Sequence, residues 1–87
     1  MSATTVTVYG VPGCQGCRLT VRELTRRGVQ VEVVDLTTSA SARELIEAMD
    51  FTSAPIVAAG GRWWQGLRLD LIDAATQHVA ADRSSDS

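Results

Sequence analysis

The sequence predicts a small α/β fold built on a mixed sheet, with elements in the order βαβαββα. Three observations carry that expectation. Strand, helix and strand signals follow one another between Thr4 and Asp35, so the first two strands should be parallel with a right-handed crossover. Farther on, apolar runs on either side of Gly60-Gly61 form the pattern of a β-hairpin with a primed turn, whose strands are antiparallel. And 87 residues leave room for one hydrophobic core.

Each element has its own local reason. Thr4-Thr5-Val6-Thr7-Val8-Tyr9 alternates and is rich in β-branched residues, as a half-buried strand is. Residues 18–27 form an amphipathic helix closed by Gly28. It should bury Cys17, Val21 and Leu24 and leave Arg18, Arg22 and Arg26 in a row on its other face. That row reads as a solvated surface, with reception of an acidic partner tail as the alternative. Residues 30–35 are the second strand. Ser41-Ala42-Arg43-Glu44 has the capping-box pattern and should start a second helix, with Leu45, Ile46 and Met49 inward and Met49 and Phe51 in the core. Residues 54–59 and Arg62-Trp63-Trp64 supply the hairpin. A last helix from Leu69 or Asp70 should pack Ile72, Ala75 and Val79 inward, its Asp70 and Asp73 suiting the helix dipole. Residues 1–80 are expected to be a single domain and 81–87 a flexible polar tail.

Composition removes several function classes. A net charge of −2 gives no basic footprint for nucleic acid or an anionic membrane. All eight basic residues are Arg. The longest apolar run, residues 54–59, holds a proline and is far too short for a bilayer. The first residues carry neither a basic n-region nor an apolar h-region, so a cytoplasmic protein is expected.

The two cysteines carry the chemistry. Pro12-Gly13-Cys14-Gln15-Gly16-Cys17 sets a Pro-Gly turn and two thiols, three residues apart, where a strand passes into a helix. Helical i, i+3 spacing puts both sulfurs on one face, so they can bond with little backbone movement. Cys14, at the helix entrance, meets free N–H groups that favour a thiolate, while Cys17 lies one turn in and more buried. Cys14 is therefore the expected nucleophile and Cys17 the resolving thiol. As a mere staple, so small a loop would still contribute about 2 kcal/mol, so energy alone does not separate the two roles. A reducing compartment does, because disulfides there are usually transient and catalytic. Lowering a thiol pKa from ~8.5 to ~7 raises its ionised fraction about fifteenfold, and the loss of nucleophilicity takes back about fivefold. Most of the rate must then come from proximity, with Cys17 held beside the mixed disulfide.

Three segments together give the chain a family resemblance. They are the Pro-x-Cys-x-x-Cys loop at Pro12 to Cys17, the Ala54-Pro55 pair before Ile56-Val57, and Trp64-Gln65-Gly66-Leu67-Arg68-Leu69-Asp70. The last is similar to a Trp-Ser-Gly-Phe-Arg-Pro-Asp stretch. In this order and spacing they resemble the glutaredoxin branch of the thioredoxin superfamily, most closely the NrdH-redoxins. The resemblance implies a thioredoxin-like, four-stranded mixed sheet flanked by three helices, with cis Pro55 facing the cysteines. It implies substrate contacts from Pro12, Ala54, Pro55, Trp64, Gly66 and Arg68; separately, no cofactor or metal is expected. It also implies electrons from thioredoxin reductase and, as client, the large subunit of class Ib ribonucleotide reductase. A monomer is expected.

The chain departs from the family pattern at Val11, where a Lys is common, at Leu67 and Leu69, and in having Trp63 beside Trp64. For either tryptophan, packing across the hairpin and forming a rim at the site both remain open. The competing readings are a glutathione-dependent glutaredoxin, an iron–sulfur or metal module, and a binding protein with idle cysteines. Ser53-Ala54-Pro55 and the single Asp70 differ from the usual glutathione-binding segments. Two thiols are half of the four ligands zinc needs, and His78 lies far along the last helix.

Overall fold

A computed structural model describes the backbone of residues 5–85 and the side-chain surroundings of residues 5–77. The elements follow the expected order: β1 (Thr5–Gly10), α1 (Gln15–Arg26), β2 (Gln30–Asp35), α2 (Ala40–Ala48), β3 (Ile56–Ala59), β4 (Arg62–Gln65) and α3 (Leu69–Ser85). The four strands lie side by side as β2-β1-β3-β4. β1 runs parallel to β2, with Val6 beside Val31 and Val8 beside Val33, and antiparallel to β3. β3 and β4 form the hairpin, with Val57 opposite Trp64 and Ala58 opposite Trp63. The fold is thus thioredoxin-like, a mixed four-stranded sheet with three helices.

Strand pleating sorts the side chains. Val6, Val8, Val57 and Trp64 point to one face, where Leu24 of α1 and Ile72 of α3 join them in the main core. Val21 and Ala75 pack against this cluster. Cys17 and Thr20 are buried on α1, while Arg18, Arg22 and Arg26 are exposed as the periodicity implied. Across the domain Arg27 clips α1 to α3: its guanidinium donates to Glu23 and to Asp73, both at 2.7 Å.

The opposite face carries α2 and the loop after it, and here expectation and structure differ. Ser39, not Ser41, caps the helix, its hydroxyl accepting the Ala42 N–H at 3.2 Å. The reason lies just upstream, where Asp35 accepts from the Thr37 N–H and hydroxyl and ties down the turn after β2. That leaves Ser39 extended, at φ −122° and ψ 100°, as an N-cap must be. From this start Ala42 and Ile46 turn inward, whereas Leu45 and Met49 are exposed, so Met49 does not belong to the core. Phe51 is half-buried and joins Trp63 and Tyr9 in a stack, with ring centroids 6.4 and 5.8 Å apart.

Both of these helices end in the same way. Gly28 N–H donates to Thr25 O and Val29 N–H to Leu24 O after α1; Asp50 N–H donates to Glu47 O and Phe51 N–H to Ile46 O after α2. These are paired Schellman bonds, and the residue at the turning point adopts a positive φ, 87° at Gly28 and 64° at Asp50. The backbone of α3 continues to Ser85, past the boundary expected at residue 80. Val79, His78 and the remainder of the expected tail lie outside the residues whose side chains are described.

Candidate active site

The Pro-Gly turn is present as read. Cys14 N–H donates to Val11 O at 3.3 Å, closing a four-residue turn with Pro12 second and Gly13 third at φ 79°. That is a type II turn, whose third position needs the left-handed backbone that glycine adopts without a Cβ clash. It delivers Cys14 to the N-cap of α1, in extended conformation, where its Sγ accepts the Cys17 N–H at 3.1 Å. The sulfur therefore occupies the place of a capping oxygen, facing the positive end of the helix. No acidic residue stands in the first turn to oppose a negative charge there.

Cys14 and Cys17 are joined as a disulfide, with Cα atoms 5.3 Å apart. Cys14 is partly exposed and Cys17 is only 8 % exposed, so one sulfur is open to attack while the other is sheltered beneath the helix. The shelter is built by Gly10 at the end of β1. A Cβ there would come within 2.9 Å of Cys17 Sγ, closer than real contacts allow, so only glycine lets the second sulfur sit against the sheet.

The Ala54–Pro55 bond is cis, as the resemblance implied. The Pro55 ring abuts the first turn of α1: its Cδ lies 3.4 Å from where a Gly16 Cβ would stand. Ala54 is partly exposed, and among the described residues no hydrogen bond occupies its N–H. Two depressions meet here at Val11. One, of about 440 Å³, holds Cys14, Cys17, Pro12 and Arg18; the other, of about 770 Å³, runs between α2 and the loop at Phe51, Ser53 and Ala54. The sulfurs line the smaller one, so the chemistry belongs there; the larger one shares only Val11 with it and lies on the α2 side. Val11 puts an apolar side chain at the junction where the family commonly has a cation.

The other expected contact residues separate. Gly66, at φ 88°, donates its N–H to Pro55 O at 2.8 Å and so belongs to the site's wall. Arg68 is exposed and paired with Asp70 at 3.0 Å; the contact raises the guanidinium's affinity for its proton and holds the carboxyl below its ordinary range. Trp64, by contrast, is only 4 % exposed and belongs to the core; Trp63 takes the half-buried place on the opposite face. Sequence reasoning passed over Gln65, whose Oε1 accepts from the Thr52 and Ser53 N–H groups at 3.0 and 3.2 Å. Among the described residues no three His, Cys, Asp or Glu side chains converge as a metal site would require.

This arrangement is shared with known proteins. A family model described as glutaredoxin matches residues 6–64. The glutaredoxin-like protein NrdH of Salmonella typhimurium is 32 % identical, over 86 % of this chain and 95 % of its own length. The solved structure of Escherichia coli NrdH-redoxin superposes with a TM-score of 0.77 at 31 % identity, covering 80 % of this chain and 92 % of that one. A glutaredoxin from Archaeoglobus fulgidus, at 24 % identity and a TM-score of 0.68, covering 83 % of this chain and 85 % of its own, shares the fold. With a closable cysteine pair capping α1 beside a cis proline, and relatives matched over nearly their whole length, the chain belongs to the glutaredoxin family, in its NrdH-redoxin branch, and is a thiol–disulfide oxidoreductase.

Proposed function

We propose that the chain reduces protein disulfides through Cys14 and Cys17, and that it draws its electrons from thioredoxin reductase. The observation that carries this reading is the unequal exposure of the two sulfurs across one helix turn. The Cys14 thiolate attacks one sulfur of the client disulfide; a mixed disulfide forms, and the departing client sulfur takes a proton. Cys17 then loses its proton and attacks Cys14 Sγ. The mixed bond breaks, the second client thiol leaves, and the chain ends in its closed form with two electrons transferred. Cys17 needs no exposure for this step, because its target is a neighbour on its own helix turn.

The client chain is bound as an extended segment along Ala54. Its unpaired N–H offers a ladder bond, while Pro55, with no N–H, leaves the approach to the sulfurs clear of a competing donor. Thioredoxin reductase is favoured over glutathione by Ser53-Ala54-Pro55 and the single Asp70, which differ from the usual glutathione-binding segments. The Escherichia coli NrdH-redoxin is described as having a thioredoxin-like activity profile, and we extend that profile to this chain. The same kinship makes the large subunit of class Ib ribonucleotide reductase the client we favour. No helix among the described residues is long and apolar enough to cross a membrane, and we assign the chain to the cytoplasm, working as a monomer.

The test is coupled turnover with a protein disulfide, the ribonucleotide reductase subunit included. NADPH should be consumed with thioredoxin reductase and not with glutathione and its reductase. Cys17→Ser should accumulate a covalent client complex visible on a non-reducing gel. Turnover supported by glutathione alone would reverse the reductant assignment, and wild-type turnover by Cys17→Ser would end the two-thiol mechanism.

A further inference from the structure

Gln65 ends β4 opposite Ile56, and its side chain leaves the strand to serve the loop before β3. One atom, Oε1, receives two successive backbone donors, Thr52 N–H at 3.0 Å and Ser53 N–H at 3.2 Å. Two donors converging on one atom identify it as the amide oxygen, since the nitrogen has no lone pair to offer. The next residue, Gly66, donates to Pro55 O at 2.8 Å. Two adjacent residues of β4 and its exit thus hold both sides of Ala54. Upstream, the loop's remaining anchor is the Phe51 N–H bond to Ile46 O, which closes α2. Thr52 and Ser53 are themselves exposed, so without Oε1 their amides would turn to water and the segment would regain conformational freedom.

We infer that Gln65 is a positioning residue that sets how well the Ala54 edge receives an extended protein segment around a disulfide. The inference rests on the proposed role of that edge in client binding and adds a determinant to it. A long side chain is needed. The related stretch has Ser at this place, whose hydroxyl ends two bonds nearer its own backbone than Oε1 does. Oε1 thus secures the client-pairing loop by a side-chain-to-backbone clamp. The clamp matters when a peptide must lie along the loop. It does not matter when a small disulfide meets Cys14 directly.

The experiment uses the full chain, chemically reduced beforehand so that no reductase enters the reading. Second-order rate constants are measured for its oxidation by insulin, a protein disulfide, and by hydroxyethyl disulfide, a small one. Gln65→Ala should lower the insulin rate about fivefold and the small-disulfide rate by less than about twofold, the size expected for losing two solvent-competing hydrogen bonds. Gln65→Glu keeps an acceptor oxygen at the same reach and should restore the insulin rate to within about twofold. Amide hydrogen exchange at Thr52 and Ser53 should quicken in Gln65→Ala and stay near wild type in Gln65→Glu, with the β1 and β3 amides unchanged in both. An unchanged insulin rate in Gln65→Ala, or equal losses on both substrates, would overturn the inference. Failure of the wild-type chain to react with insulin would instead bring down the proposed function beneath it.

Discussion

The two faces of the sheet are built to different standards. On one, α1 and α3 close over Val6, Val8, Val57 and Trp64, and Leu24 and Ile72 reach zero exposure. On the other, the nine residues of α2 bring only Ala42 and Ile46 to burial, with Leu45 and Met49 left outward and a groove beside them. The disulfide stands at the start of α1: Cys17 is buried against Gly10 at the end of β1, and Cys14 is partly exposed. Rigidity is thus concentrated under the sheltered sulfur, and access is left around the reactive one. A redox carrier needs both, since the resolving thiol must be held still while different partners reach its neighbour.

This contrast can be broken most forcefully in the core. Leu24→Ala should cost roughly 2–5 kcal/mol of unfolding free energy, because the fully buried side chain leaves a cavity between α1 and the sheet. Leu45→Ala, at 42 % exposure on the thin face, should stay within about 0.5 kcal/mol. Urea denaturation of both variants measures the difference, and equal losses would mean that α2 is packed as tightly as α1.

A smaller effect separates the helix ends. Both turn through a positive φ, but α1 does so at Gly28 and α2 at Asp50, where a Cβ is crowded. Asp50→Gly should therefore stabilise the fold by up to about 1 kcal/mol, visible as a higher Tm, and a lower Tm would mean that the added freedom of the unfolded chain outweighs the relief. The smallest expected effect is electrostatic and lies on the packed side. The hydrogen bond from Arg27, with the nearby Arg26, holds the Glu23 carboxyl below its ordinary range. A depressed carboxylate contributes stability that is present at neutral pH and fades as the pH falls through its folded-state pKa. The Tm gap between wild type and Arg27→Ala should accordingly narrow on acidification, and a gap that widened would assign Arg27 a different role.

What the sequence settled by itself is what is encoded within a few residues. The Pro12-Gly13 turn, the i, i+3 cysteine pair, the span of β2 and the Gly60-Gly61 hairpin were all legible, because each depends on a backbone preference or a short period that no distant contact overrides. The turn subtype did not follow, since Gly-Gly suits either primed form; within the turn only Gly60 takes a positive φ, at 63°, as in type II′. The tertiary structure decided the questions with several equal local answers. Three hydroxyls between Thr38 and Ser41 could each have capped α2, and Ser39 prevailed because Asp35 fixes the chain just before it. Two adjacent tryptophans could each have turned inward, and the pairing of Val57 with Trp64 sent that one to the core and Trp63 to the Tyr9 and Phe51 stack. Gln65 gave no local signal at all, since its partners are backbone amides twelve and thirteen residues away, brought to it only when β3 and β4 pair.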